Sequence, residues 1–204
     1  MLNLLVFDFD GTIVDSKKVI YRSVKKVLRK YIVKIPKDLP NKLGDKPLRK
    51  LLLEFGFSKE NSIRIAKEVK LDYIENVSKI KAVKGLNSIR NIKIRKILLT
   101  NNSLEYVKAV LKNTGIDFFD EVHTGDYFEN KIDEFNKIVR KGGFSKKEIL
   151  YVGDKPIDVK VARKVGCKVV IMANKASWST KSEIKRAKPD FILKDLREIA
   201  KIVL

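Results

Sequence analysis

The 204-residue chain holds 45 Lys and Arg against 25 Asp and Glu, a formal charge of +20, with 44% hydrophobic and 34% charged residues. That balance describes a folded chain with room for one sizeable core and at most a small second module, not a disordered one. No apolar run approaches the roughly 20 residues of a bilayer span, and the N-terminus lacks a basic leader and runs straight into Asp8 and Asp10. The expectation is a cytoplasmic protein with no membrane partner.

Scarce residue types remove further chemistries. One cysteine, Cys167, excludes an internal disulfide and a Cys-rich metal site, and one histidine, His123, excludes multi-His zinc sites and phosphatases built on a His pair. No P-loop is present. Carboxylates and lysines must carry any catalysis. His123 reads as structural, and Cys167 and Trp178 as packing or loop residues.

Leu2 to Phe7 is a continuous apolar run, the pattern of a strand buried on both faces of a parallel sheet, and it ends in Asp8-Phe9-Asp10-Gly11-Thr12. The period then becomes helical. Val19, Ile20, Ser23, Val24, Val27, Leu28, Tyr31 and Ile32 mark one face of a long helix, which Pro36 and Pro40 interrupt. Leu48, Leu51, Leu52 and Phe55 predict a second helix with Asp45 as N-cap and Gly56 as its stop. A third is expected from about Ser58 to Lys79, with Ile65, Ala66, Val69, Tyr73, Ile74 and Val77 inward. No strand is expected between Ser16 and Lys84.

After Gly85 strands and helices alternate. Strands are expected at Ile94–Leu99, around Val122, and at Ile149–Val152, Lys168–Met172 and Phe191–Leu193. Helices are expected after Ser103, near Ile132–Val139, at Ile157–Val165 and at the C-terminus. The rhythm predicts an α/β fold: a doubly wound, Rossmann-like parallel sheet formed by residues 1–15 and 85–204, with an α-helical cap, residues 16–84, inserted after the first strand.

In open α/β sheets ligands bind beyond the carboxyl ends of the strands. Three strands end in acidic or hydroxyl residues: Asp8-Phe9-Asp10 after the first, Thr100-Asn101-Asn102 after the second, and Gly153-Asp154-Lys155-Pro156-Ile157-Asp158 after a later one. Carboxylates converging on one crevice need a counter-ion, and a hard cation with oxygen ligands, most simply Mg²⁺, supplies it. A nearby lysine would complete a site for a phosphate group.

These segments resemble the haloacid dehalogenase-like hydrolase superfamily. Asp8 to Ser16 is similar to its first motif almost residue for residue, Leu98 to Asn102 to its second, and Gly153 to Asp158 to its fourth. The third motif, a lysine at a helix start, falls on Lys131 without the usual proline after it, with Lys137 as the alternative. The resemblance implies that Asp8 is the nucleophile and Asp10 the acid and base, with its main-chain carbonyl also on the metal. It further implies that Thr100, the amide of Asn101, and Lys131 hold the phosphoryl group. Asp8, Asp10 and Asp154 would bind Mg²⁺, and Asp158 would ligate it through water or orient Lys131.

Asp10 argues against the dehalogenases, which lack the second aspartate. Phe9 argues against the transport ATPases, which carry a lysine there, and Ile20 stands about where the sugar phosphomutases place a histidine. Phosphatase remains, and because small capped members of the family resemble phosphoglycolate phosphatase, the resemblance implies a small phosphomonoester as substrate. Residues 16–84 contain 20 Lys or Arg and 7 Asp or Glu, which reads as solvated helix faces or as attraction for a polyanion. The charge also leaves open a nucleotide or nucleic-acid-end phosphatase, or a nucleic-acid-binding protein without catalysis. Retention of both Asp8 and Asp10 argues against a silent phosphate binder.

Overall fold

Four consecutive buried apolar residues, Leu4–Phe7, form strand β1, from which the fold is built outward. The computed structural model describes residues 1–31 and 36–203. Beyond β1 the chain turns through Gly11 into a two-residue strand β2, Val14–Asp15, and then helix α1, Lys17–Leu28. The buried stripe of α1 is Val19, Ile20, Ser23, Val24, Val27 and Leu28, as the periodicity predicts. The helix ends there. Tyr31 lies in a turn beyond it, and Ile32 falls outside the described residues.

Helices α2, Leu39–Lys42, α3, Leu48–Glu54, and α4, Lys59–Glu75, follow. Ser58 caps α4 by accepting the Asn61 N–H. Two expectations need correction here. Pro47, not Asp45, takes the cap position of α3, with φ −52° and ψ 137° and no side-chain cap, and Asp45, two residues earlier, is engaged elsewhere. The third helix stops at Glu75, and Val77–Lys79 form a separate 3₁₀ turn. A strand also occurs where none was expected: β3, Lys81–Ala82, pairs antiparallel with β2 where the helical segment leaves and rejoins the sheet. Two-residue strands are too short to show alternation.

The rest of the chain is α5, Leu86–Arg90; β4, Arg95–Thr100; α6, Leu104–Thr114; β5, Glu121–Thr124; α7, Lys131–Gly142; and β6, Ile149–Gly153. Then come α8, Pro156–Val165; β7, Lys168–Met172; α9, Lys181–Ala187; β8, Phe191–Leu193; and α10, Ala200–Val203. Ser103 caps α6, as expected. Neither α5 nor α9 was legible from periodicity, since each is short and α9 buries only Ile184.

The sheet is parallel throughout, in the order β5-β4-β1-β6-β7-β8. Alternate residues of each strand face opposite sides. Leu5, Phe7, Leu98, Leu150 and Val152 pack with Tyr106, Val107 and Val110 of α6 on one face. Leu4, Val6, Ile97, Leu99 and Tyr151 pack with Phe135 of α7, Ala162 of α8 and Ile184 of α9 on the other. This is the doubly wound arrangement with helices on both faces. The chain leaves β1 first toward β4 and later toward β6, so the strand order reverses at β1. The crevice at that switch point lies between the carboxyl ends of β1 and β6.

His123, expected to be structural, has partners on α7 and on its own strand that the sequence did not reveal. Its Nδ1 is 2.7 Å from Glu134 Oε1 on α7, and its Nε2 is 2.9 Å from Glu121 Oε2 on its own strand.

Candidate active site

The corner after β1 is shaped by Gly11, whose φ is +84°. A Cβ at this position would stand 2.3 Å from Asp154 Oδ2 and 2.5 Å from a ring carbon of Trp178. Only glycine satisfies both the left-handed backbone and that close approach. Gly153, at the end of β6, is required for space: a Cβ there would lie 2.4 Å from the carboxyl carbon of Asp158. The two glycines let carboxylates from two loops share one crevice.

Asp8, Asp154 and Asp158 each bring an oxygen into a group whose members lie within 4.8 Å of one another. Lys131, the first residue of α7, places its Nζ 2.5 Å from Asp8 Oδ1 and 3.8 Å from Asp158 Oδ1, over the face of the Tyr151 ring. Asp158 is otherwise saturated. Its Oδ1 accepts from the Tyr151 hydroxyl at 2.8 Å, and its Oδ2 accepts the N–H groups of Asp154 and Lys155 at 3.1 and 3.0 Å. Asp154 Oδ2 accepts the Trp178 N–H at 2.5 Å, whereas its buried Oδ1 has no donor among the described residues.

The electrostatics follow from burial and crowding. Burial, together with the charges of Asp158 and Asp10, raises the Asp8 carboxyl to about 6 against the pull of Lys131. Burial and the charges of Asp158 and Asp8 push Asp154 well above the ordinary range. Burial alone would lower Lys131, but Asp8, Asp158 and Asp154 together hold its ammonium above its usual value. An oxygen-only trio with one buried oxygen left without a donor fits a hard divalent cation, which would offset the crowded negative charge.

Asp10, two residues from Asp8, has a different environment. Its side chain stands outside the trio, with Oδ1 accepting from the Tyr106 hydroxyl at 2.7 Å and Oδ2 from Asn102 Nδ2 at 2.5 Å. Burial raises its carboxyl despite those donors. Thr100 is buried at the end of β4, where its hydroxyl accepts the Asn102 N–H at 3.2 Å. Asn101 lies on the rim, and its Nδ2 donates to the Gly44 carbonyl at 3.3 Å. Lys137 is mostly exposed and 3.6 Å from Glu134, so it is not in the site and Lys131 is.

One small cavity, about 70 Å³, is bordered by Asp8, Asp10, Thr100, Asn101 and Asn102 from the sheet side and by Ile20, Val24, Leu48, Val69 and Tyr73 from the helices. Sequence reasoning missed Tyr106, Tyr151, Tyr73 and Lys155. Tyr106 carries a local signal, because it sits one turn into α6 beside the capping Ser103, but nothing nearby in the chain says that its hydroxyl reaches Asp10.

The haloacid dehalogenase-like hydrolase family model matches residues 5–172 of this chain. A protein of Caldanaerobacter subterraneus subsp. tengcongensis described as a pyrophosphatase, PpaX, is 25% identical over 99% of this chain and 94% of its own. A phosphoglycolate phosphatase of Synechococcus elongatus is 23% identical over 99% of this chain and 97% of its own. Among solved structures, a Haemophilus somnus protein described as a phosphoglycolate phosphatase superposes with a TM-score of 0.85 at 23% identity, covering 100% of this chain and 98% of that one. No helix among the described residues is long and apolar enough to cross a membrane.

Proposed function

This chain belongs to the haloacid dehalogenase-like hydrolases and is a phosphatase of that family, and from that premise we propose that it hydrolyses a small phosphomonoester through an aspartyl-phosphate on Asp8. The observation that carries the reading is the contrast between the two aspartates. Asp8 is paired with Lys131 and stands among Asp154 and Asp158, where an electrophilic phosphoryl group and its counter-charges belong. Asp10 is held apart by Tyr106 and Asn102, with its carboxyl raised toward the protonated form.

In this reading a carboxylate oxygen of Asp8 attacks phosphorus. The new O–P bond forms as the bond to the leaving oxygen breaks, and Asp10 gives that oxygen its proton. Asp10, now a carboxylate, takes a proton from water, whose oxygen attacks the phosphoryl group and releases phosphate and Asp8. Lys131, Thr100 and the Asn101 amide offset the charge on the phosphoryl oxygens. Asp8, Asp154 and the main-chain carbonyl of Asp10 would hold Mg²⁺, with Asp158 behind them, and the bound ion would supply further charge stabilisation at the same oxygens. Residues 16–84 act as the cap and residues 1–15 and 85–204 as the catalytic core. The cavity's small size and the relatives named above support a small substrate such as phosphoglycolate.

A panel of phosphomonoesters with Mg²⁺ tests this: 2-phosphoglycolate, sugar phosphates, nucleotides, phosphoserine and pyrophosphate. We expect one small compound to lead in kcat/KM and the activity to vanish in Asp8→Asn. Equal hydrolysis by Asp8→Asn, or no hydrolysis of any ester, overturns the reading.

A further inference from the structure

Lys155 directly follows Asp154, yet its side chain ends on the helical segment. Its Nζ donates to the Leu43 carbonyl at 2.7 Å and lies 2.5 Å from Asp45 Oδ1. Only 6% of the residue is exposed. A buried ammonium is tolerated only where acceptors replace its water, and here residues 43–45 provide them. The main chain of Lys155 is fixed independently, because its N–H donates to Asp158 Oδ2 at 3.0 Å.

The segment that Lys155 grips continues into the cavity wall: Leu43, Gly44, Lys46, Pro47 and Leu48 all border the cavity over Asp8 and Asp10. Asn101, on the loop after β4, touches the same segment through the Gly44 carbonyl. One buried lysine therefore ties the loop that carries Asp154 directly to the segment that walls the cavity.

We propose that Lys155 is a positioning residue that fixes the Leu43–Leu48 wall of the cavity and thereby restricts the reaction to small leaving groups. Its kinetic consequence rests on the phosphatase reading; its structural consequence does not.

Trp178, the chain's single tryptophan, is 7% exposed and borders the same cavity, so it reports on the wall without any turnover. The test compares wild type, Lys155→Met, Asp45→Asn and the double variant by acrylamide quenching of Trp178 fluorescence. Each single variant should be quenched more readily than wild type, and the double variant no more than the larger single effect, because both substitutions break one contact. With a small aliphatic phosphomonoester, KM should rise roughly tenfold, the scale of one charge-assisted hydrogen bond, while kcat changes much less. A bulky substrate such as naphthyl phosphate should lose less, or gain. Asp45 is on a half-exposed loop, so Asp45→Asn decides alone should circular dichroism show Lys155→Met unfolded. Unchanged quenching in the folded single variants, or effects that multiply in the double, overturns the proposal. Changed quenching with no phosphoester hydrolysed by any form overturns the phosphatase reading and leaves the role of Lys155 in holding the wall intact.

Discussion

Lys131 and Asp8 are 123 residues apart in sequence, and the fold brings the Nζ of one to 2.5 Å from the Oδ1 of the other. Lys131 can do this because α7 begins at the carboxyl edge of the sheet, with Asn130 capping it by accepting the Ile132 N–H. Lys131→Met should therefore reduce kcat/KM by roughly 10²–10³, the scale of losing one preorganised charge stabiliser. Lys137→Met, on the exposed side of the same helix, should stay within about twofold of wild type. Steady-state kinetics on the two variants check this, and equal losses would reverse the assignment.

A divalent cation should be needed for turnover, and chelation should abolish it reversibly. A second readout avoids catalysis. A cation held by the folded chain and not by the unfolded one stabilises it, so added Mg²⁺ should raise the thermal midpoint of wild type in a concentration-dependent way. Asp154→Asn removes one formal charge from the trio and should weaken that shift by tenfold or more in Mg²⁺ concentration, on the order of the loss of a ligand or its support. Full activity in a chelated sample would contradict the metal assignment.

Burial pushes the Cys167 thiol up to about 12, and the residue, which immediately precedes β7, is 4% exposed. The thiolate is the reactive form, so Cys167 should resist alkylation by iodoacetamide at pH 8 in the native protein and react at once in guanidinium. Mass spectrometry of the two samples reads the outcome. Rapid labelling of the folded chain would contradict this packing.

Asp190 supplies a pH-dependent contribution to stability away from the site. Partial burial works to raise its carboxyl, but the Arg163 guanidinium at 2.8 Å and the Val169 N–H at 2.8 Å outweigh it and hold the group below the ordinary range. A depressed native value means that the contribution is present above about pH 4, the unfolded aspartate value, and is lost as pH falls through the native one. Asp190→Asn should cost about 1–2 kcal/mol at neutral pH. The gap to wild type should close below the native value, as denaturant titrations at several pH values would show.

The parts of the site legible in the sequence are those whose chemistry is local to a strand end. Asp8 and Asp10 follow β1, Thr100 ends β4, and Asp154 follows β6, so each is marked by the apolar run before it. The sheet itself was legible for the same reason, since buried parallel strands read as apolar blocks. What was not legible depends on distance. One lysine among 45 cationic residues has no local mark, and only the fold separates Lys131 from Lys137. The hydroxyls of Tyr106 and Tyr151 are spoken for by Asp10 and Asp158 through contacts that no spacing encodes. Asp45 has the composition of an N-cap but serves as the partner of Lys155. Helix α9 did carry a signal, Thr180 with Glu183 three residues on, and the structure shows that capping box formed.

In the proposed mechanism Asp8 carries the phosphoryl group and Asp10 moves the protons. Asp10→Asn keeps the nucleophile and removes the acid and base, help typically worth about 10²–10⁴ in rate. With p-nitrophenyl phosphate, whose leaving group departs without a proton, this variant should release a burst of nitrophenolate and then stall. Intact-protein mass spectrometry at that point should find one phosphoryl group per chain, mapped by peptide analysis to Asp8, whereas Asp8→Asn should show neither burst nor adduct. Phosphate trapped in Asp8→Asn, or an adduct in Asp10→Asn on any residue other than Asp8, would contradict the account.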